Sequence, residues 1–554
     1  MAGTVEHVCM ERNACHCREL SDENALLISK LSGLEAQNKQ LADENRWMKE
    51  QFLLARRKQF GTKSEQTSAD SEPWARLFDE AEAILHKNPE DASEGKTITY
   101  TRGKKTVGHR EEVLANLPIV IQDHRLPEEE QVCSCCGGKM HEMSSQTRDE
   151  LDIIPAQVRV IRHVRYIYSC RRCERNEINV PVVTAPSPAP IIEKSLASAS
   201  AIAYIMSMKY VEAMPLYRIE KHFERLGVEL PRAILSNWVI KGGELLSPIY
   251  DRMHEKLLDM EILHADETTL QVLKENGRKA QSKSYMWLYR SGRDGPPIVL
   301  FEYQATRQGD HPRRFLSGSA RSPQAGFTGY LHVDGYAGYS NIPGVTLVGC
   351  WSHARRKFMD AQTVLPDAER SNPKHLANIG LAYINKLFEI ERELHDVTPD
   401  ERRAGRLERS RPIVDEFRIW LDTQALLVLP KSALGKAITY CQGQWPKLFV
   451  FLTDGRLELD NNRSERSIKP FVIGRKNWLF ANTPRGAKTS AVIYSIVETA
   501  KENGLNPHAY LEHILHRLRW IDANDQSAIE ALLPWSESVR SALATIPDAA
   551  QLSS

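Results

Sequence analysis

Two short apolar runs in this chain each end in an aspartate, and any fold it adopts has to account for both. In YLHVDGYAGY, residues 330–339, the run Leu331 to Val333 reaches Asp334 and stops at once on Gly335. That pattern reads as a buried strand delivering one acid to a sheet edge. Upstream, EILHADET at 261–268 places Asp266 after Ile262, Leu263 and Ala265. Downstream, LELDNNRSERSIKPFVIGRKNWLF at 457–480 sets Glu465 in a basic stretch with helix-start chemistry. Three carboxylates from two strands and one helix suit a site for two divalent metals. Hard Mg2+ takes a few carboxylate oxygens and shares its remaining positions with phosphate and water.

Glu465 has rivals in Glu458 and Asp460. Asp460 and Asn461 are good helix-cap residues, and a helix starting there puts Asn462, Glu465, Arg466 and Lys469 on one polar stripe. Ile468, Phe471 and Val472 then lie on the other side, and Pro470 can kink or end the helix. A capping acid such as Asp460 is explained without a metal. Glu465 is therefore the expected third ligand.

Residues 20–52 repeat with period seven, with Leu20, Leu27, Leu34, Leu41 and Met48 at d and Asn24, Leu31, Asn38, Asn45 and Phe52 at a. This predicts a coiled coil that makes a homodimer or higher oligomer, its a-position asparagines fixing register at a cost in strength. A basic leucine-zipper factor carries its basic segment before the zipper. Here Arg56, Arg57 and Lys58 follow it, as candidate DNA contacts, with Lys63 beyond. The residues before the heptads, including His7, Cys9, Cys15, His16 and Cys17, are irregularly spaced for a metal and read as a mobile tail.

Of the ten cysteines, Cys133, Cys136, Cys170 and Cys173 form two Cys-x-x-Cys pairs. They offer four thiolates for a closed, structural, tetrahedral Zn2+ in a zinc-ribbon-like module. The 33 residues between the pairs exceed the common spacing, so an alternating hairpin over residues 151–168 is expected to bring the second pair back. Cys135 reads as a bystander.

Polar stretches around 64–74 and 87–109 read as linker. VVTAPSPAP at 182–190 reads as a stiff proline spacer. Residues 196–246 read as helices, with helix-turn-helix proportions about the turn at Gly227 and Pro231 in a first helical turn. Arg232, Ser236 and Asn237 could meet DNA there, and a plain structural helical hairpin fits equally well. Strands follow over 261–268, 284–289, 298–303, 330–334 and 346–350. Charged helices fill 359–444, and Asn506 with Pro507 reads as a cap and first-turn proline.

Lys plus Arg is 73 against 72 for Asp plus Glu, so DNA binding has to come from local asymmetry. It is present over 461–490, where Arg463, Arg466, Lys469, Arg475, Lys476, Arg485 and Lys488 face one acid, Glu465. His353, Arg355, Arg356, Lys357, Arg466, Lys469, Arg475 and Lys476 are candidate phosphate contacts, with Trp478 available for base stacking. No apolar run is long enough to span a bilayer and no leader is visible, so no membrane partner is expected and the cytoplasm is the default.

The stretches HADET, HVDGYAGY, CWSHARRKF, LDNNRSERSIKP and GRKNWLFANTPRGA resemble the DDE transposases of the insertion-sequence-66 type, over residues 20–540. The resemblance implies an α/β ribonuclease-H-like catalytic domain with a helical insertion. It also implies Asp266, Asp334 and Glu465 as catalytic residues holding two Mg2+ or Mn2+. The activity implied is cleavage of element ends and joining of their 3' ends to target DNA, in a bacterial, nucleoid-associated setting, with accessory proteins of the same element as expected partners. A metal-dependent nuclease of the same fold, or a non-catalytic zinc-containing DNA-binding dimer, would carry many of the same residues. The multidomain plan expected is a coiled coil with basic tail at 1–63, linker at 64–110, zinc module at 111–185 and a helical DNA-binding region at 186–250. The catalytic domain at 251–358 and 445–520 is interrupted by the helical insertion at 359–444, and a tail occupies 521–554.

Overall fold

The computed structural model describes residues 3–60, 157–169, 182–186, 188–318 and 326–544. The chain divides into two units, 1–61 with 160–543 and 62–159 with 544–554. Apart from the final residue of the last helix, the elements below belong to the first unit.

Helix α1 runs unbroken over Gly3–Phe60. The expected mobile tail before Leu20 is thus helical backbone, a continuation favoured once the nucleation cost has been met by the heptads. The side chains of 3–23 and 56–60, including Arg56, Arg57 and Lys58, lie outside the description. Leu27, Leu31, Leu34, Leu41, Met48 and Phe52 are all more than half exposed, so this part of the heptad seam stays open among the described residues.

Cys133, Cys136, Cys170 and Cys173 and the linker at 64–110 fall outside the described residues. Two short strands flank the second cysteine pair: β1, Ile167–Ser169, and β2, Val182–Thr184, are antiparallel with Tyr168 opposite Val183. This corrects two expectations. Residues 157–166 have no regular structure, so of the described part of the hairpin read over 151–168 only 167–168 are strand, and the first three residues of the expected proline spacer at 182–190 are strand.

Three helices follow: α2, Ala199–Tyr210, α3, Leu216–Arg225, and α4, Arg232–Leu258. Ser198 caps α2 through its hydroxyl, which accepts from the Ala201 N–H at 3.1 Å. Pro231 sits at the N-cap of α4, one residue before the first turn. Ile202, Ile205, Leu235, Trp238 and Leu246 bury into the same core as the sheet, so residues 186–250 are not a separate domain. Their apolar faces are too wide to be covered by three helices alone.

The sheet contains β3, Ile262–Gln271, β4, Lys283–Ser291, β5, Val299–Gln304, β6, Gly329–His332, and β7, Val345–Val348, in the order β5-β4-β3-β6-β7. The pairs β3–β4 and β4–β5 are antiparallel, while β3–β6 and β6–β7 are parallel. A short helix, α5 at Asp310–Leu316, lies in the crossover to β6.

Next come α6, Trp351–Thr363, α7, Asp367–Arg370, α8, Leu376–Glu393, α9, Pro399–Gly405, α10, Arg411–Ala425, and α11, Ala433–Leu448. They close on a second core of Trp351, Phe358, Ile384, Phe417, Ile438 and Phe451. That helical unit therefore begins with α6 at Trp351 and runs to Leu459, wider than the 359–444 expected. The end of α1 docks on it: Glu50 Oε2 accepts from the Ala433 N–H at 2.9 Å, at the positive N-terminus of α11.

The chain returns through α12, Asn462–Trp478, α13, Pro484–Glu502, α14, Pro507–Leu518, α15, Gln526–Glu530, and α16, Glu537–Ala544. Asn506 caps α14 and Pro507 opens it, as their spacing predicts. Helix α13 covers the edge strand β5: the Val299 N–H donates to Thr499 Oγ1 at 3.0 Å and the Phe301 N–H to Ser495 Oγ at 2.8 Å. Edge groups that would otherwise invite another chain are satisfied internally. Residues 521–544 are not a tail, because Ile529, Leu532, Leu533 and Val539 are buried in the main core.

Two buried arginines pin the helical unit to the segment leading into α12. Arg406 pairs with Glu391 at 2.7 Å and donates to the carbonyls of Phe451 and Leu457 at 2.8 Å. Arg402 donates to the carbonyls of Leu394 at 2.9 Å and Gly455 at 3.1 Å. Arg406→Leu leaves Glu391 and these carbonyls unpaired, at an expected cost of about 3 kcal/mol. Urea unfolding followed by the fluorescence of Trp351, Trp420 and Trp445 checks it, and an unchanged midpoint refutes the bracing role.

Candidate active site

Parallel pairing sets two acids side by side. His264 stands opposite His332 in the β3–β6 register, so Asp266, within β3, and Asp334, just past the end of β6, each two residues on, stand at the same level. Gly335 has φ +109°, and a Cβ there would stand 3.1 Å from the Gln444 side chain, so the turn after Asp334 requires glycine. Asp334 Oδ1 accepts from the Tyr336 N–H at 2.8 Å, and Tyr440 donates its hydroxyl to the Asp334 carbonyl at 2.8 Å.

Helix α12 lies along β3. Its N-cap, Asn461, does not cap with its side chain; Nδ2 donates to the Ala265 carbonyl at 2.8 Å, and Oδ1 meets His264 Nδ1 at 2.9 Å. Asn461 N–H also donates to Cys350 Sγ at 3.2 Å, just before α6. Ser464, Ser467, Ile468 and Phe471 are buried, while Glu465 is half-buried and Arg466 and Lys469 are exposed, which is the polar stripe read from the sequence. The helix continues through Pro470 to Trp478, its apolar face held by the core.

The four carboxylates near this edge are held differently. Burial pushes the Asp266 carboxyl well above the ordinary range; Glu267, Asp334 and Glu465 push the same way, against the Glu267 N–H at 2.8 Å from Oδ1. Glu267 accepts from the Tyr339 hydroxyl at 2.6 Å and from Arg307 Nε at 2.8 Å. Glu465 has Arg356 at 3.5 Å and His353 Nδ1 at 3.6 Å, and its buried Oε1 has no hydrogen-bond partner. Burial lowers the His353 imidazole, opposed by Glu465.

The rival acids are occupied. Asp460 accepts from the Ser352 hydroxyl at 2.8 Å and from Asn462 Nδ2 at 2.6 Å. Glu458 pairs with Arg463 at 2.6 Å and Arg293 at 2.9 Å. Among the expected phosphate contacts, Arg355 Nε donates to Asn385 Oδ1 at 2.8 Å, Lys357 lies over the Tyr440 ring at 5.8 Å, and Lys476 is exposed. Arg475 turns onto β3, donating to Thr268 and Thr269 at 3.2 Å. Trp478 packs edge-on against Phe471 with Lys209 over its ring, so its stacking surface is taken up by the core. In the helical region Arg232 pairs with Glu220 at 2.9 Å.

Sequence comparison identifies the family. The model described as "Transposase IS66 family" matches residues 194–489, more than half of the chain. The chain belongs to the IS66 transposase family. Three further family models match: the zinc-finger binding domain of transposase IS66 at 130–174, the IS66 C-terminal element at 495–535, and "Transposase C of IS166 homeodomain" at 47–121. Among relatives, the uncharacterized protein y4qI of Sinorhizobium fredii (strain NBRC 101917 / NGR234) is 32% identical, over 87% of each chain. The uncharacterized protein y4jD of the same strain is 31% identical over 78% of this chain and 82% of its own. IS66 membership makes this a transposase-type, DNA-acting protein with a zinc-finger domain, and that domain's match spans Cys133, Cys136, Cys170 and Cys173. No helix among the described residues is long and apolar enough to cross a membrane.

Several features of this candidate site escape a reading by runs and spacing: Glu267, Arg307, Tyr339, the bridging role of Asn461 and the stacked pair His264–His332, with ring centroids 4.2 Å apart. A signal was available in the repeated His-x-Asp, His264-Ala-Asp266 and His332-Val-Asp334.

Burial alone would raise the Glu458 carboxyl, but His264, Arg463 and Arg293 overcome it and hold it well below the ordinary range. A carboxyl depressed in the folded state stabilises above its unfolded pKa of about 4.3 and loses that contribution as pH falls through the folded value. Glu458→Gln is expected to lower the apparent melting temperature by roughly 3 to 6 °C at pH 7. The deficit should shrink steadily below about pH 4.3, and melts across that range that stay parallel would refute the assignment.

Proposed function

We propose that this IS66-family protein is a DDE transposase that cleaves the ends of its element and joins the 3' ends to target DNA. Its sheet is read as ribonuclease-H-like, with Asp266, Asp334 and Glu465 as catalytic ligands of two Mg2+ or Mn2+. The observation that carries this is the parallel register that levels Asp266 with Asp334, beside an α12 locked to β3 through Asn461. The donor set fits such cations: a crowded carboxylate edge with a raised Asp266 and an unpartnered Glu465 oxygen calls for positive charge. Divalent cations bound there would activate the attacking oxygen and neutralise charge at phosphorus and on the leaving 3' oxygen.

The chain's own side chains supply the rest. Arg307 and Tyr339 hold Glu267 away from the reacting phosphate, and Tyr440 with Gln444 keeps the Asp334 turn in place. Arg356, Arg466 and Lys469, beside Glu465 on α6 and α12, together with Arg355, Lys357, Arg475, Lys476 and the basic end of α1 at Arg56, Arg57 and Lys58, form the proposed phosphate track. The zinc finger carries structural Zn2+ on its four cysteines, and α1 pairs with a second copy through its exposed heptad seam. The setting proposed is the bacterial nucleoid, with accessory proteins of the element as further partners.

Single-turnover cleavage of labelled element-end duplex in Mg2+ provides the main test. Asp266→Asn, Asp334→Asn and Glu465→Gln should each cut at least about a thousand-fold more slowly while still binding DNA, and Asp460→Asn should stay within tenfold of wild type. Near-normal cutting by Glu465→Gln would remove it from the catalytic set.

Pairing is tested separately. Leu34→Asp with Leu41→Asp places charge in the proposed seam and should halve the mass seen by light scattering. An unchanged mass would place the assembly elsewhere.

A further inference from the structure

Beside Glu465 stands a nitrogen donor, His353, which the sequence offers as a phosphate contact. His353 is delivered by the first turn of α6, and its Nδ1 lies 3.6 Å from Glu465 Oε1. That separation is beyond hydrogen-bond range. Both atoms are shielded from solvent, and neither has a hydrogen-bond partner among the described residues. Two facing, unsatisfied polar atoms are a cost that a folded protein normally removes with water or an ion. Donors about 2.1 Å from one divalent cation stand roughly 3 to 3.5 Å apart across its coordination sphere, so the gap suits an ion better than a direct contact.

The neighbours fit the same reading. One ligand atom from each of Cys350, His353 and Glu465 lies within 4.8 Å of the other two. Cys350 is fully buried and its sulfur already accepts from the Asn461 N–H at 3.2 Å, which makes it a prop for the turn. Arg356 stands 3.5 Å from Glu465 Oε2 and 3.4 Å from His353 Nε2, on a half-exposed side chain. It occupies the outer side of the pair as a provisional cation. A cation held between the pair would need the His353 tautomer with its proton on Nε2, which presents the Nδ1 lone pair to Glu465, and would release Arg356 to pair with phosphate.

We propose that His353 is an inner-sphere ligand of the divalent cation held by Glu465, giving that position one imidazole nitrogen among oxygen donors. The inference rests on the carboxylate site proposed above. Imidazole favours Mn2+ and later transition ions over Mg2+, whereas an all-carboxylate site does not. His353 thereby sets the metal preference of one of the two positions.

Mn2+ is the probe, added to the full-length protein with its zinc in place. Electron spin echo spectra of the wild type should show nitrogen coupling to Mn2+ that changes on 15N-histidine labelling, a readout that needs no variant. Equilibrium titration should show Mn2+ binding weakened by about tenfold or more in His353→Ala, with a smaller loss for Mg2+. His353→Asp should restore Mg2+ binding, and Arg356→Ala should leave Mn2+ affinity unchanged or higher. Absence of nitrogen coupling, or full Mn2+ affinity in a folded His353→Ala, overturns the inference while loss of binding in Asp334→Ala preserves the carboxylate site. Unchanged Mn2+ affinity in Asp334→Ala overturns both.

Discussion

Asn461 carries the constraint on which the site depends. Its buried amide is satisfied on both sides by β3, through the Ala265 carbonyl and His264, and its N–H reaches Cys350 at the start of α6. Three elements far apart in sequence are thereby fixed within one hydrogen bond of each other. A buried amide left half-paired costs more than the bond contributes when formed, so this contact tolerates little slack. Glu465 is one turn along α12 from Asn461 and Asp266 is one residue beyond Ala265. Their separation is set by that amide more directly than by any interaction between the two acids, which repel.

The repulsion explains much of the surrounding structure. Four carboxylates approach one sheet edge; Glu267 is hydrogen-bonded by Arg307 at 2.8 Å, while Glu465 has Arg356 only at 3.5 Å. Glu458 and Asp460 are withdrawn from the crowd by Arg463, Arg293, Ser352 and Asn462. Holding the edge together against its own charge requires stiffness from elsewhere. The helical unit provides it, since Arg402 and Arg406 grip the carbonyls of Phe451, Gly455 and Leu457 just before the chain enters α12.

Much of this is legible in the sequence where the signal is local. The apolar runs before Asp266 and Asp334 become strands because alternation and a terminating glycine are properties of a few adjacent residues. The Glu465 stripe appears on α12 for the same reason, and Asn506 with Pro507 starts α14 as a cap and first-turn proline should. Local signals fail where packing overrides them: α1 extends through the segment read as a tail, Pro470 does not end α12, and Trp478 turns inward beneath Lys209. The domain boundaries suffer most. Residues 186–250 and 521–544 join the main core because their apolar faces need the sheet and α13 to cover them, and no window of sequence reports which surface that will be.

The sequence by itself determined which side chains could carry charge, which segments would be strands or helices, and the family to which the chain belongs. Tertiary structure alone decided the parallel register that levels Asp266 with Asp334, the choice of Asn461 as a bridge instead of a cap, and the placing of His353 against Glu465. Each of these relates residues 68 to 197 positions apart in a chain of 554. Their energies depend on backbone geometry fixed by two cores, one under the sheet and one within the helices, and neither core can be assembled from the periodicity of a single segment.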